Sequence, residues 1–282
     1  MRALLDYSSK ELIALLEAKG HPAMRARQIH RWLFAGRVND FASMTDLPLK
    51  LRQTLSEEIP FYRTRIERSL QSSDGTQKLL LRLPDDHLVE CVLLHEDDRH
   101  TICVSTQVGC GMGCVFCASG LNGVERNLTP SEILEQLIRL RNLLPDDQRL
   151  THIVVMGMGE PLANLDHLLE ALEVATTSSE GVGKGKQTRF GLGLSARNIT
   201  ISTVGLPLKI RKLADLKKQY HLAVSLHAPN EEIRAKIVPT GERTGLEEIL
   251  QAADYFYDQT HRQVTYEYVL LRDVNDRREH AE

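Results

Sequence analysis

The sequence predicts an α/β protein, built as an open, partial β/α barrel behind a small N-terminal helical domain. Three observations carry that reading. From residue 101 onward, short apolar runs alternate with amphipathic segments, the pattern of a parallel strand layer covered by helices. There are five such runs, too few to close an eight-stranded barrel. The first 60 residues hold helical periodicity alone, and a β-hairpin pattern separates them from the alternation.

The N-terminal elements follow from local signals. Ser8-x-x-Glu11 is a capping box ahead of Leu12, Ile13, Leu15 and Leu16, and Gly20 closes that helix. A second helix is expected over Met24–Ala35, stopping at Gly36, and a third over Pro48–Glu58. The hairpin pairs Lys78–Leu83 with Leu88–His95 around Pro84-Asp85-Asp86-His87. The five barrel strands are expected at Thr101–Gln107, Thr151–Gly157, Asn198–Thr203, Tyr220–His227 and Gln263–Leu271. Helices fall between them at about 131–144, 164–175, 207–217 and 245–257, the first with Thr129 as cap, Pro130 at its first position and Glu132 completing the box. Three domains result: 1–70 helical, 71–100 a hairpin linker, and 101–282 the partial barrel.

Composition limits the function classes. The 282 residues are 42% hydrophobic and 26% charged, with a net charge of −3, ample for a buried core. No run is apolar and long enough for a membrane span, and Met1–Tyr7 lacks a signal-peptide core, so a cytoplasmic location is expected. Five cysteines, an odd number with three clustered, do not form a secreted disulfide framework. Charge is uneven: residues 1–70 carry 12 Lys+Arg against 8 Asp+Glu, the remainder 23 against 30. A basic front module on an acidic body suggests a polyanionic partner.

Residues 176–197 are glycine-rich (Gly181, Gly183, Gly185, Gly191, Gly193) and carry Lys184, Lys186 and Arg189. They match neither G-x-G-x-x-G nor a P-loop, since Gly181 and Gly185-Lys186 stand one residue too close and Gln187 replaces Ser/Thr. The stretch reads as a surface loop rather than a phosphate cradle.

The chemistry lies in Gly109-Cys110-Gly111-Met112-Gly113-Cys114-Val115-Phe116-Cys117, a C-x3-C-x2-C run where the first barrel strand hands over to its helix. Three thiolates on one short loop can hold three corners of a four-iron cluster and leave the fourth iron open. Its glycines reach positive φ and let backbone amides approach the sulfides. The rival is zinc, with Cys110, Cys114, Cys117 and either His95 or His100; a buried group of structural thiols is the third reading.

The surrounding motifs carry a resemblance. They are Ser73-Asp74-Gly75-Thr76, Val89-Glu90, Cys103–Cys110, Arg126-Asn127-Leu128, Met156–Leu162, Ile201-Ser202-Thr203, Leu222–Asn230 and Glu267-Tyr268-Val269. Together with C-x3-C-x2-C they resemble the RlmN/Cfr-type radical S-adenosylmethionine (SAM) RNA methyltransferases, the adenine-C2 (RlmN-like) members in particular. The resemblance implies a radical-SAM partial barrel, a 4Fe-4S cluster and SAM as cofactors, and methylation of carbon 2 of an adenosine in 23S ribosomal RNA, with transfer RNA as a second target. It further implies a 5′-deoxyadenosyl radical and a flavodoxin- or ferredoxin-type electron donor; a monomer is expected. Carbon 2 is too electron-poor to attack a methyl sulfonium, so a radical route is required and the cofactor supplies it.

Residue by residue, the resemblance makes Cys110, Cys114 and Cys117 the cluster ligands. Gly159 and Glu160 would hold the methionine amino end of SAM, with Ser202 and Ser225-Leu226-His227 lining the rest of its site. Taken singly these have plainer readings: a tight turn at Gly159-Glu160-Pro161, a polar strand end at Ser202, a satisfied histidine at His227. Glu90 would be the proton acceptor, set by strand alternation opposite Val89 and Cys91, with Val92 and Leu94 around it expected to raise its pKa. Its plainer reading is a solvent-facing Glu. Cys103 would be the thiol that resolves a covalent RNA–enzyme intermediate, whereas Cys91 packs. Arg25, Arg27, Arg31, Arg63 and Arg65 of the front module would meet RNA phosphates.

One departure matters. The family carries a further cysteine that first accepts the methyl group, and all five cysteines here are assigned elsewhere. The sequence reaches Arg278–Glu282 where the helix after the fifth strand should begin, before the sixth strand and an asparagine expected at the SAM site. Two expectations follow: an incomplete methyltransferase, or a short relative that binds RNA or cleaves SAM without methyl transfer.

Overall fold

The computed structural model describes residues 2–183, 188–239 and 244–281. Lys184, Gly185, Lys186 and Gln187 of the glycine-rich loop lie outside the described residues, as do Met1 and Glu282. In chain order the first elements are α1 (Ser9–Ala18), α2 (Met24–Phe34), α3 (Leu49–Glu58), β1 (Arg65–Gln71), β2 (Gln77–Arg82), β3 (Leu88–Glu96), β4 (Arg99–Cys103), β5 (Gln107–Gly109) and β6 (Val124–Asn127). They are followed by α4 (Pro130–Arg141), β7 (His152–Val155), α5 (Leu165–Thr176), β8 (Ile199–Thr203), α6 (Pro207–Asp215), β9 (His221–Ser225), α7 (Glu231–Ile237), α8 (Leu246–Thr260) and β10 (Val264–Glu267). The chain divides into two compact units: Met1–Ile102 with Thr129–Thr151 and His167–Ser195, and Cys103–Leu128 with His152–Asp166 and Ala196–Glu282.

In the first unit both predicted capping boxes form. Glu11 N–H donates to Ser8 Oγ at 3.3 Å and Ser8 N–H to Glu11 Oε2 at 2.8 Å; Thr129 and Glu132 repeat the exchange at the start of α4. Leu12, Leu16, Ile29, Leu33, Leu51 and Leu55 are buried, one apolar stripe from each of three helices. Buried Glu135 accepts from the backbone N–H of Arg63 (2.8 Å) and Thr64 (2.9 Å) and from Arg139 Nε (3.0 Å), satisfying the chain where the helices give way to strands. Arg141 donates to the carbonyls of Phe34 (2.6 Å) and Leu33 (2.9 Å), which close α2.

The arginines expected to meet phosphates divide. Arg31 pairs with Asp46 at 2.7 Å, Arg63 with Asp6 at 3.0 Å, and Arg25 donates to Gln28 and the Asp46 carbonyl. Arg27 and Arg65 face solvent. The hairpin gains a strand the sequence did not reveal: β1 pairs antiparallel with β2, and β2 with β3.

The second unit holds the parallel layer. β7 pairs with β8, β8 with β9 and β9 with β10, all parallel, in the register Ile153↔Ile199, Ile201↔Leu222 and Leu222↔Val264. Ile210, Leu213 and Ala214 of α6 and Ile249, Ala252 and Phe256 of α8 are buried in this unit. The run expected as one strand over Thr101–Gln107 is broken. β4 ends at Cys103, Val104 N–H reaches the Val154 carbonyl (3.1 Å), and β5 turns away to pair antiparallel with β6. The layer is open: among the described residues β10 pairs with β9 alone. No helix among the described residues is long and apolar enough to cross a membrane.

Candidate active site

Every parallel strand of the second unit delivers a polar group at its C-terminal end, where ligands gather in such layers. A cavity of about 290 Å³ there is lined by Cys110, Cys114 and Cys117, by Gly159 and Glu160 after β7, and by Ser202, Ser225 and His227 at the ends of β8 and β9.

The cysteine loop is shaped by glycines. Gly109 has φ +74°, and a Cβ there would stand 2.1 Å from the Gly123 carbonyl oxygen, so no other residue fits as β5 enters the loop. Cys110 N–H then donates to that same carbonyl at 2.9 Å, and Cys117 N–H to the Cys114 carbonyl at 3.0 Å. Burial, ahead of repulsion from the neighbouring thiols, pushes Cys114 up to about 11; Cys110 is raised by burial in the same way. A bound cationic centre inverts that balance, because a coordinating thiol is deprotonated outright.

Glu160 is 2% exposed. Its Oε1 accepts from Leu162 N–H and its Oε2 from Val204 N–H, both at 2.9 Å, while its own N–H donates to Gln107 Oε1 at 2.8 Å. Burial raises its pKa and the two backbone donors oppose the rise. The approach to it is kept bare. A Cβ on Gly159, at φ +103°, would meet the Gln107 side chain at 2.7 Å, and one on Gly157 the Val104 carbonyl oxygen at 2.6 Å. Ser225 Oγ donates to Glu267 Oε2 at 3.1 Å. Leu226 is not among the residues lining the cavity; its N–H donates to the Glu267 carbonyl at 3.0 Å.

His227 adopts the left-handed conformation (φ +59°), its ring edge-on to Phe116 with centroids 4.8 Å apart. Burial, with Arg234 nearby, lowers its pKa to about 4, so the imidazole is neutral at physiological pH. Nδ1 accepts from Val269 N–H at 3.1 Å, which places the ring proton on Nε2. Asn275 holds the strained residue, donating through Nδ2 to the carbonyls of His227 and Val269, both at 2.7 Å.

Two predicted residues stand apart from this cavity's lining. Cys103 is mostly buried, and that burial raises its pKa. Glu90 lies on β3 in the first unit, where Lys78 Nζ reaches Oε1 at 3.0 Å and 46% of its side chain is exposed. The apolar surroundings expected for it are absent: Leu94 on the same face is 39% exposed. Pattern reading gave no role to Gln107 and Glu267, which stand inside the quoted motifs, and missed Asn164, Arg234 and Asn275. Asn164, 3% exposed, donates to the Thr106 and Leu128 carbonyls at 2.8 Å each and fixes the chain on both sides of the cysteine loop.

His95 and His100, on β3 and β4, are not among the residues that line the cavity with the three cysteines. Three thiols on one glycine-shaped loop and in one cavity suit an iron–sulfur core, in which each thiolate would meet a different iron. The comparisons agree. Residues 104–282 match the model of the radical SAM superfamily, and residues 2–60 match the N-terminal domain of the ribosomal RNA large subunit methyltransferase (RlmN) family.

The chain belongs to the RlmN family of radical SAM RNA methyltransferases.

A Rhodopirellula baltica relative, named as a dual-specificity RNA methyltransferase RlmN, is 53% identical over 99% of this chain and 72% of its own length. One from Carboxydothermus hydrogenoformans with the same name is 41% identical over 100% and 79%. The crystal structure of a radical SAM methyltransferase from Sphaerobacter thermophilus superposes with a TM-score of 0.90 at 39% identity, covering 100% of this chain and 80% of that one. Membership makes this a radical SAM RNA methyltransferase whose cofactors are a 4Fe-4S cluster and SAM and whose substrate is RNA. The cavity's donor set accommodates both cofactors.

Proposed function

We propose that the enzyme methylates carbon 2 of an adenosine in 23S ribosomal RNA, with transfer RNA as a second target, working as a cytoplasmic monomer served by a flavodoxin- or ferredoxin-type donor. One observation carries the reading: the three-cysteine loop shares one cavity with Glu160, Ser202, Ser225 and His227. Bound there, cluster and SAM supply one-electron chemistry that an RNA base of low nucleophilicity requires.

The chain's own residues bind and orient. Cys110, Cys114 and Cys117 would hold the cluster, and Gly157 and Gly159, where a side chain would collide with its neighbours, would keep the adjoining backbone bare for the methionine end of SAM. Glu160 offers carboxylate lone pairs beyond those taken by Leu162 and Val204, suited to an ammonium group. The Ser202 and Ser225 hydroxyls and the Nε2–H of His227 complete the site's hydrogen-bonding groups, while Leu226 contributes backbone only. Glu90 accepts the proton leaving carbon 2. The Cys103 thiol, whose pKa burial raises, would resolve a covalent RNA–enzyme intermediate by pairing with a second cysteine, the S–S bond forming as the C–S bond to the RNA breaks. Exposed Arg27 and Arg65 remain for phosphates, whereas Arg25, Arg31 and Arg63 have partners within the fold.

A second reading follows from the cysteines of these 282 residues. Three serve the loop, Cys91 is 1% exposed in the core and Cys103 is assigned to the intermediate, so none of the five is left to carry a methyl group and these residues by themselves would bind RNA or cleave SAM. Anaerobic reconstitution separates the two. Iron, sulfide, 5′-deoxyadenosine and 2-methyladenosine in treated RNA are all expected under the first reading; 5′-deoxyadenosine without 2-methyladenosine is the signature of the second. Protein carrying zinc and no sulfide would defeat both.

A further inference from the structure

Arg234, in the middle of α7, is 1% exposed and heads the largest fully buried side chains of the described residues. A guanidinium stays ionised in any protein, so its burial demands compensation. What surrounds it is neutral. Nη1 donates to the carbonyls of Ser225 (3.1 Å) and Leu226 (2.6 Å), and Nη2 to the carbonyl of Val204. Nε is buried and without a partner. Among the described residues no carboxylate pairs with it. Glu231, one turn earlier on α7, acts on it at a distance, but that side chain is exposed and accepts from Leu246 N–H. A buried cation whose hydrogen bonds all end on neutral carbonyls marks a site whose anion arrives with something else.

The cysteine loop supplies the candidate. Val115 N–H donates to the Ile237 carbonyl at 3.0 Å, binding the loop to the end of α7, and Cys114, next to Val115, lies within electrostatic reach of Arg234. Its three carbonyl acceptors lie just after β8 and at the end of β9, the strand ends that present Ser202, Ser225 and His227.

We infer that Arg234 is the buried counter-charge of the cysteine loop: a positioning residue that offsets the negative charge of the ligated thiolates while clamping the SAM-side ends of β8 and β9. The inference rests on the loop holding an iron–sulfur cluster. With three neutral thiols the guanidinium lacks a buried opposite charge; with three thiolates the neighbouring loop supplies one. Cluster loading therefore orders α7 and the two strand ends together. A fixed positive charge also favours the more negative, reduced state of the cluster, because charge near the cluster sets its potential. The Arg234 head group holds the carbonyls of Ser225 and Val204, two residues of the cavity wall, so its influence travels through the field and that carbonyl clamp.

The test compares wild-type protein with Arg234→Gln and Arg234→Lys after anaerobic reconstitution. Iron and sulfide content is measured first, then the reduction midpoint by EPR-monitored titration, and the melting temperature before and after loading. Arg234→Gln is expected to lower the reduced-to-oxidised ratio at a fixed potential about tenfold, a shift of about 59 mV for one electron. Arg234→Lys retains the charge with poorer carbonyl contacts, so it should melt earlier and keep the wild-type midpoint. Loading should raise the melting temperature of wild type more than that of Arg234→Gln. A fully loaded Arg234→Gln with the wild-type midpoint overturns the inference and leaves Arg234 a prop for carbonyls. Should Arg234→Gln not fold, a displaced midpoint in Arg234→Lys overturns it equally. Wild-type protein without iron and sulfide removes the reading of the loop itself.

Discussion

His30 offers the sharpest quantitative check on the helical unit. It sits on α2, 9% exposed, its ring centroid 6.2 Å from that of Phe34 and 5.8 Å from that of Phe190. Burial alone pushes its pKa down to about 4 from the usual 6.5. The fold therefore accepts the neutral imidazole and resists the imidazolium. A depressed folded-state pKa makes this stability complete above about pH 6.5 and lost progressively as pH falls toward about 4. The gap corresponds to about 3 kcal/mol at about 1.4 kcal/mol per pH unit, of which about 2 kcal/mol is gone by about pH 5. Glu11, held down to about 2 by its capping contacts with Ser8, stays ionised throughout this window.

The perturbation is His30→Leu, which keeps apolar volume and removes the titration. Trp32, the single tryptophan, lies on the same helix, so its fluorescence during urea unfolding reports on this unit. Between about pH 7.5 and 5, wild type should lose about 2 kcal/mol more than the variant, other carboxylates cancelling in the difference. Parallel pH dependences in the two proteins would show that His30 is solvated or already paired in solution.

Gly109→Ala should abolish cluster loading while preserving far-UV circular dichroism, since the new methyl would collide with the Gly123 carbonyl that shapes the loop; normal iron and sulfide would contradict the argument. Asn275→Ala strips partners from the His227 and Val269 carbonyls and from Leu271 N–H, costing about 1–3 kcal/mol for each group left unpaired, to be read by thermal melting together with weaker SAM binding in calorimetry. Glu135→Ala leaves Arg139 Nε and the Arg63 and Thr64 amides without their carboxylate acceptor and should destabilise by about 3–5 kcal/mol in denaturant. Glu90→Gln should leave melting temperature and SAM cleavage intact and remove methylated adenosine from the RNA; methylation at the wild-type rate rules Glu90 out as the base.

The elements that sequence reading found are those with periodic burial or a cap. α1 and α4 each begin with a capping box, and the parallel strands bury alternate or successive apolar residues. β1 escaped because Arg65–Gln71 is exposed along its whole length and its two apolar residues, Ile66 and Leu70, lie on no alternating pattern. α7 spans only seven residues, too few for a helical period, although Asn230 caps it by accepting from Ile233 N–H. The first barrel strand, expected over Thr101–Gln107, reads as continuous because Ile102 and Val104 alternate along it; its break after Cys103 goes with the pairing of β5 to β6, which no local run encodes. β10 ends early for a similar reason, as Asn275 Oδ1 accepts from Leu271 N–H and draws the following chain into a turn.

The residues that stayed hidden share a physical character. The cysteines, Gly159, Glu160 and His227 were visible because their chemistry is tied to spacing or to a motif. Asn164, Arg234, Asn275 and Glu135 instead spend their polar groups on carbonyls and amides tens of residues away: Asn164 on Thr106 and Leu128, Glu135 on Thr64, Arg234 on Val204. In sequence each resembles the solvated polar residue it would be on a surface, and only the fold shows it buried. Each also sits where an open strand end or a chain crossing would otherwise leave backbone groups unpaired, at a cost of about 1–3 kcal/mol apiece. A cavity built from the loose ends of parallel strands has many such groups. Its shape therefore depends on a set of buried anchors as much as on the ligating thiols, and substitutions at those anchors should disturb cofactor binding without touching a cofactor.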